Sequence, residues 1–151
     1  MTMIPEFYDG NFLPDGDHDA TWAEVQTRFG EGEVRQKHCR QMSKLLLVAR
    51  SCGFRAVYLF GSFISGKSEP GDIDLLWVYR ADTYDSLSES CRELLNYGIM
   101  KSRLNWDLWR CSDDPVIVSD LLSGWRQNKT KDKARGIIRI DLENFEGLVY
   151  E

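Results

Sequence analysis

Residues 59–75 read LFGSFISGKSEPGDIDL, and this stretch decides the fold. The apolar run at 56–60 is typical of a buried strand, and the run at 72–79, DIDLLWVY, predicts a second strand. Glycine, serine and proline fill the connection at 61–71, which predicts a loop. Side chains two apart on a strand share one face, so we expect Asp72 and Asp74 to project together from the start of the second strand.

The two aspartates have the chemistry of a metal site. Carboxylates that lie close together repel each other unless they share a cation or one of them takes a proton. Oxygen ligands of this kind suit Mg²⁺ or Mn²⁺, and Mg²⁺ usually also takes oxygens from a substrate phosphate. Asp74 lies between Ile73 and Leu75, where an unpaired acid is costly, which favours a functional role over a solvated turn. Gly61 and Ser62 offer backbone amides and a hydroxyl that a phosphate can approach closely.

Helix and strand patterns alternate along the rest of the chain. Thr21 and Glu24 match a capping box that starts a short helix ending at Gly30. Further helices are predicted at 33–52, at 83–97 and from 112 to about 124, and further strands at 105–111 and 136–142. This alternation predicts an α/β (α+β) fold with a mixed sheet flanked by helices. We expect an irregular N-terminal arm at 1–20 and a single domain at 21–151.

Gly61-Ser62, a spacer of nine residues and Asp72-x-Asp74 together resemble the signature of the nucleotidyltransferase superfamily typified by polymerase beta. The arm, the GDIDLLW run at 71–77 and the GIIRIDL run at 136–142 also resemble short, uncharacterised bacterial nucleotidyltransferase-like domains. The resemblance implies a minimal nucleotidyltransferase fold in which Gly61 and Ser62 contact a triphosphate. It also implies that the aspartate pair and a third carboxylate on a later strand bind two metal ions. The matching third position is Asp107, predicted in the middle of its strand.

The function implied by this resemblance is transfer of a nucleoside monophosphate from a nucleoside triphosphate to a hydroxyl on a protein, a small molecule or a nucleic-acid end. One metal ion would activate the acceptor hydroxyl, and the other would stabilise the pyrophosphate leaving group. Asp107 would bind the activating metal and is the candidate proton acceptor. Much of the catalysis would come from positioning and charge neutralisation.

A second hypothesis comes from a different class of protein. Minimal domains of this kind can act as nucleotide-binding regulatory or antitoxin-like partners of helical proteins, without turnover. Three candidate carboxylates favour an active enzyme, but a nucleotide sensor would carry them as well. The chain has 151 residues and leaves little material for an acceptor pocket, so we expect a protein partner or self-association.

Residues 61–68, GSFISGKS, also match the phosphate-loop pattern G-x-x-x-x-G-K-S. In an ATPase with a phosphate loop, the lysine and serine open a helix whose amides bind the phosphates. Here Glu69, Pro70 and Gly71 follow at once, and adjacent proline and glycine disfavour a helix. An ATPase is therefore the less favoured alternative, while Lys67 stays a candidate phosphate ligand.

The charge balance of the chain is acidic, with a formal net charge of −5 and a pI near 5.1. This balance disfavours general binding to nucleic acid or anionic membranes, but a small-nucleotide site stays possible because metal supplies positive charge. The four cysteines form no C-x-x-C pair, and we expect them to be reduced core residues. No secretory signal and no membrane-length apolar run is visible, so we expect a cytoplasmic protein.

Overall fold

The computed structural model describes residues 4–8, 10–126 and 135–144. In these ranges five strands build one sheet: β1 (Asp17–Asp19), β2 (Ala56–Phe60), β3 (Asp74–Tyr79), β4 (Asp107–Ser112) and β5 (Ile137–Asp141). The strand order is β1-β5-β2-β3-β4. β1 is parallel to β5 and β4 is parallel to β3, whereas β2 is antiparallel to both of its neighbours. The predicted mixed sheet is confirmed.

Helices accompany this sheet, as the predicted α/β (α+β) class requires. In the described part of the chain they are α1 (Trp22–Phe29), α2 (Glu33–Ser51), α3 (Glu89–Leu94), α4 (Tyr97–Leu104) and α5 (Pro115–Arg126). Two short 3₁₀ segments, Ser62–Ile64 and Ala81–Ser86, follow β2 and β3. No helix in the described ranges is both long and apolar enough to cross a membrane.

The central strands β2 and β3 carry apolar side chains on both faces because both faces are covered. On one face Leu59 and Leu75 belong to a core cluster with side chains of α1 and α2. On the opposite face Tyr58 and Leu76 cluster with Leu122 of α5. Full burial of one large aliphatic side chain contributes about 1.5–3 kcal/mol. The sheet is therefore a rigid support for the strand ends that carry the candidate site.

The two N-terminal helices lie within one residue of their predicted bounds. The Thr21 hydroxyl accepts a hydrogen bond from the Glu24 amide at 3.1 Å, and the Glu24 carboxylate accepts one from the Thr21 amide at 3.0 Å. This is the predicted capping box, and α1 ends at Gly30. α2 ends one residue before the predicted boundary, where Gly53 adopts a left-handed φ of 75°.

The prediction of one helix at 83–97 is wrong, because two capping side chains divide this segment. The Ser88 hydroxyl accepts from the Cys91 amide at 3.3 Å and starts α3. The Asn96 side chain accepts from the Ile99 amide at 3.0 Å and starts α4, which the sequence analysis did not foresee. Serine and asparagine side chains compete with helical hydrogen bonds in this way. The extra helix supplies two side chains of the candidate site.

Strands β3 and β4 begin two residues later than predicted, and β5 begins one residue later. β3 starts at Asp74 because its last partner on β2 is Phe60, so Asp72 precedes the strand. β4 starts at Asp107, since Asn105 has a left-handed φ of 59° and ends α4. Asp107 is therefore the first residue of its strand and does not lie in its middle.

An irregular arm was expected at residues 1–20, but its last part contains a regular strand. Residues 17–19 pair in parallel with β5 and form an edge strand. A hydrogen bond of 3.0 Å from the Ala20 amide to the Arg139 carbonyl continues this contact. The sequence does not predict this strand, because three residues are too few to show an alternation of apolar and polar side chains.

The expectation of four reduced cysteines is also wrong. Cys52, directly after α2, and Cys91 of α3 form a disulfide across 39 positions of sequence, with Cα atoms 5.8 Å apart. Cys39 and Cys111 are free and buried. The pair has no sequence signature because the fold, and not a short spacing, brings its members together.

Candidate metal and nucleotide site

Three carboxylates meet at one end of the sheet. Asp72, Asp74 and Asp107 each offer an oxygen, and these oxygens all lie within 4.8 Å of one another. Asp74 and Asp107 are direct partners in the parallel pairing of β3 and β4, so their side chains leave the same face of the sheet. All three residues are half-buried. The structure thus brings together the three acids that the sequence analysis named.

The surroundings of Asp74 disfavour the charged form of its carboxyl. Burial raises the pKa of the Asp74 carboxyl to about 7, and repulsion from Asp72 and then Asp107 adds to the effect. The positive charge of Lys101 opposes this rise only in part. A carboxyl in this position gains from either a proton or a cation. Three carboxylate oxygens within reach of one another are suitable ligands for Mg²⁺ or Mn²⁺.

Asp107 has two dedicated hydrogen-bond donors on α4. The Tyr97 hydroxyl donates to its Oδ1 at 2.6 Å, and the Lys101 ammonium lies 3.1 Å from the same oxygen. The hydrogen bond from Tyr97, followed by that from Lys101, lowers the pKa of the Asp107 carboxyl. Asp107 therefore stays ionised, which favours its role as a ligand over its role as a proton acceptor. Sequence reasoning missed Tyr97 and Lys101, although their spacing of four places them on one helix face.

Gly61 lies directly against the triad. Its φ is 80°, and a Cβ atom at this position would collide with the carboxylate of Asp74. The lack of a side chain lets the turn after β2 pass beside that carboxylate. Ser62 follows as the first residue of the 3₁₀ segment. The structure thus places the predicted Gly61-Ser62 turn next to the predicted acids.

A cavity of about 230 Å³ is lined in part by this turn. Its lining includes Gly61, Phe60, Trp125 and Arg135. Arg135 brings a positive charge, and its Cζ lies 4.0 Å from the centre of the Phe12 ring. Residues 127–134, which precede Arg135, lie outside the described residues. The cavity combines a glycine turn, a cation and aromatic walls, which are features that suit a phosphorylated ligand.

The loop between Gly61 and Asp72 is fastened to α2 by two buried polar side chains that sequence reasoning did not identify. The Arg35 guanidinium donates to the carbonyls of Phe63 and Lys67 at 2.6 Å each, and to those of Ser65 and Phe29 at 2.9 and 3.0 Å. Nε2 of His38 donates to the carbonyl of Pro70 at 2.7 Å. The only visible signal was a pair of polar residues, three apart, at inward positions of α2.

The side chain of Lys67, in contrast to its backbone carbonyl, takes no part in this network. Its side chain is exposed, and the residue lines a separate cavity of about 290 Å³ with Arg28 and Glu31. No helix follows Ser68, because the chain continues through a loop to β3. The structure therefore lacks the helix that a phosphate loop needs, and it does not bring Lys67 into the cavity beside Gly61.

Comparison with known proteins places the chain in a family. Residues 5–141 match the DUF6932 family, which is described as a family of unknown function, and the chain belongs to it. No curated protein matches, and no solved structure does. The family description assigns no activity.

The contact between Gly61 and Asp74 can be separated from backbone strain by two matched variants. Gly61 and Gly53 both have left-handed φ values, of 80° and 75°, but only Gly61 has an atom near its missing Cβ. We expect Gly53→Ala to lose about 1–2 kcal/mol of unfolding free energy, the usual cost of a left-handed alanine. Gly61→Ala should lose more, because its φ of 80° and ψ of −158° suit essentially glycine alone and its methyl group also meets Asp74. The metal-dependent binding of a nucleoside triphosphate that the resemblance implies should be lost only in Gly61→Ala, because its methyl group displaces the Asp74 carboxylate. Wild-type binding by Gly61→Ala, measured by calorimetry, would contradict the proposed contact.

The raised pKa of Asp74 predicts a pH-dependent stability in protein freed of metal with EDTA. The folded protein holds this proton more tightly than the unfolded chain, so the free energy of unfolding falls as the pH rises from about 4 through about 7. Asp74→Asn removes this loss. The variant should melt within error of wild type at pH 4 and a few degrees higher at pH 8. The exposed Asp120→Asn is the control, and equal pH profiles for all three proteins would refute the assignment.

Proposed function

We propose that this member of the DUF6932 family is a metal-dependent nucleotidyltransferase that moves a nucleoside monophosphate from a nucleoside triphosphate to a hydroxyl acceptor. The observation that carries the proposal is the convergence of Asp72, Asp74 and Asp107 within 4.8 Å, directly beside the Gly61 turn. Surface acids often cluster without function, but here two of them are lateral partners on adjacent strands and one is strongly desolvated. Such a cost is typical of a functional site.

The donor set fits a hard divalent cation. The ligands would be one oxygen from each of the three carboxylates, and the repulsion that raises the pKa of Asp74 is the energy that a cation would relieve. Bound Mg²⁺ or Mn²⁺ supplies charge neutralisation at the triphosphate and a lower pKa for the acceptor hydroxyl. Mg²⁺ rarely fills its octahedral shell from protein alone, which matches an open site completed by substrate phosphates.

The residues of the chain have distinct tasks in the proposed reaction. Tyr97 and Lys101 keep Asp107 ionised and oriented by donating to its Oδ1. Gly61 leaves room for a phosphate to approach the backbone. Arg35 fixes the loop that joins the turn to Asp72, so that both ends of the loop keep their positions.

The transfer step forms one bond and breaks one. The acceptor oxygen bonds to the α-phosphorus, and the bond from that phosphorus to the oxygen that bridges it to the β-phosphorus breaks. Pyrophosphate leaves, and the hydroxyl proton passes to solvent water. A phosphate-loop ATPase would instead release inorganic phosphate and would need a helix after Ser68, which the chain lacks.

A second candidate function is that of a nucleotide-binding regulatory or antitoxin-like partner. The observation that favours it is the surface of α5, where Val116, Ile117 and Leu121 are 67%, 43% and 38% exposed. Apolar side chains grouped on one helix are suited to contact with another protein. This function needs the same nucleotide site but no turnover, so product analysis separates the two candidates.

The test of transfer uses α-labelled and γ-labelled nucleoside triphosphates with Mg²⁺, purified protein and a cell lysate as the source of acceptors. We expect pyrophosphate release and α-label on an acceptor. Asp74→Asn and Asp107→Asn should each slow labelling about 100-fold or more, because misplaced reacting groups carry penalties of this size. Asp120→Asn, an exposed acid on α5, should label at the wild-type rate.

Three outcomes are informative beyond the expected one. Binding of nucleotide that depends on Mg²⁺ and Asp74, with no label and no pyrophosphate, would replace the enzyme with the regulatory candidate. Release of inorganic phosphate that is lost in Lys67→Ala would establish the ATPase. No binding of any nucleotide with Mg²⁺ or Mn²⁺ would exclude all three functions.

A further inference from the structure

Four aromatic rings form a continuous row on the sheet face that carries Asp74 and Asp107. The ring centres of Tyr97 and Trp109 are 5.0 Å apart, and those of Trp109 and Trp125 are 6.3 Å apart. Trp125 then stacks on Phe60, with centres 4.3 Å apart and planes inclined by 14°. We call these four residues the aromatic row. It joins α4, β4, α5 and β2 along one surface.

Two members of the aromatic row are unusually open to solvent. Trp109 is 42% exposed and Tyr97 is 40% exposed. In contrast, Trp22, Trp77 and Trp106 are at most 3% exposed and serve the core. A large ring left exposed gives up the gain of burial, and neighbouring exposed rings offer a flat apolar surface to a ligand. Core packing therefore does not explain Trp109 and Tyr97.

The aromatic row borders the three acids at both of its ends. Trp109 follows Asp107 by two residues on β4, so the two side chains leave the same face about 7 Å apart. The hydroxyl of Tyr97 donates directly to Asp107. At the other end Phe60 is the strand partner of Asp74 and precedes Gly61. A ligand with its phosphates at the acids therefore reaches Trp109 within the length of a nucleoside.

We propose that Trp109, supported by Tyr97, is the stacking subsite for the base of the nucleoside triphosphate. This inference rests on the proposed function, because it deepens the nucleotide site described above. An aromatic ring binds the π-face of any base, so the subsite accepts all four bases and favours the larger purines. The exposed large apolar side chains of α5, Val116, Ile117 and Leu121, are aliphatic and offer no such face, which separates this subsite from a surface for protein contact.

The inference is tested by comparing ATP with inorganic tripolyphosphate, which carries the phosphates without a base. Binding of both with Mg²⁺ is measured by calorimetry for wild type, Trp109→Phe and Trp109→Leu. We expect Trp109→Leu to weaken ATP binding about 5- to 100-fold, the range for loss of one stacked base. Trp109→Phe keeps a ring and should retain most of the affinity. Tripolyphosphate should bind all three proteins equally.

Ile117→Ala is the matched control, because it removes an exposed apolar side chain that has no ring. It should bind ATP as wild type does. Intrinsic tryptophan fluorescence gives a second measurement, which reports stacking on the ring directly and does not depend on a difference in affinity. ATP should quench the emission of wild type by stacking on its exposed tryptophan, whereas tripolyphosphate should not, and the quenching should be largely absent from Trp109→Phe.

Several results would overturn the inference while leaving the proposed function intact. One is equal affinity of wild type for ATP and tripolyphosphate, with both dependent on Asp74. Another is a Trp109→Leu variant that binds ATP as tightly as wild type does. Equal weakening of both ligands by Trp109→Leu would show that Trp109 supports the acids and not a base. Failure of both ligands to bind wild type would remove the proposed function together with this subsite.

Discussion

The carboxylates of Asp74 and Asp107 lie side by side on adjacent parallel strands, and their repulsion is the constraint around which the site is arranged. The pairing register of β3 and β4 leaves them no freedom to separate, since both strands are anchored by apolar residues that follow each acid. Asp72 adds a third negative charge from the loop. A fold maintains such a concentration of charge only if neighbouring groups or a bound cation compensate it.

The compensation within the chain is unequal, and this inequality gives the acids different properties. Asp107 receives a phenol and an ammonium from α4, so it is ionised and held in place. Asp74 receives no comparable donor in the described part of the chain, and burial holds the pKa of its carboxyl near 7. The carboxylate without such a donor is the one beside Gly61, where a phosphate with its cation would bind. The repulsion and the glycine turn therefore favour the same ligand.

Much of this arrangement was predictable from local sequence. The strand at 56–60, the Gly61-Ser62 turn and the acid pair follow from apolar runs, glycine and spacing, which are signals carried within about twenty residues. Asp107 was found because a family resemblance supplied a third position. Ser88 and Asn96 are residue types that commonly cap helices, so the two helix starts could have been predicted. The apolar spacing of the segment favoured a single helix instead. The helix that carries Tyr97 and Lys101 was therefore not predicted.

Other parts of the site depend on contacts that no local pattern encodes. Arg35 binds carbonyl oxygens of a loop about thirty positions away, and a carbonyl is present at every residue, so sequence offers no partner to look for. The same applies to the bond between Cys52 and Cys91, which exists because the end of α2 meets α3. The aromatic row likewise gathers residues from four separate elements. Sequence reasoning reached the acids and missed what supports them.

We propose that Asp72, Asp74 and Asp107 bind a divalent cation together with the phosphates of a nucleotide. The most direct measurement is an anomalous difference map from crystals grown with Mn²⁺ and a nucleoside triphosphate analogue that cannot release pyrophosphate. We expect a manganese peak coordinated by all three carboxylates and by phosphate oxygens, with the phosphates beside Gly61. A nucleotide bound elsewhere, for example at Lys67, with no peak at the three acids, would contradict it.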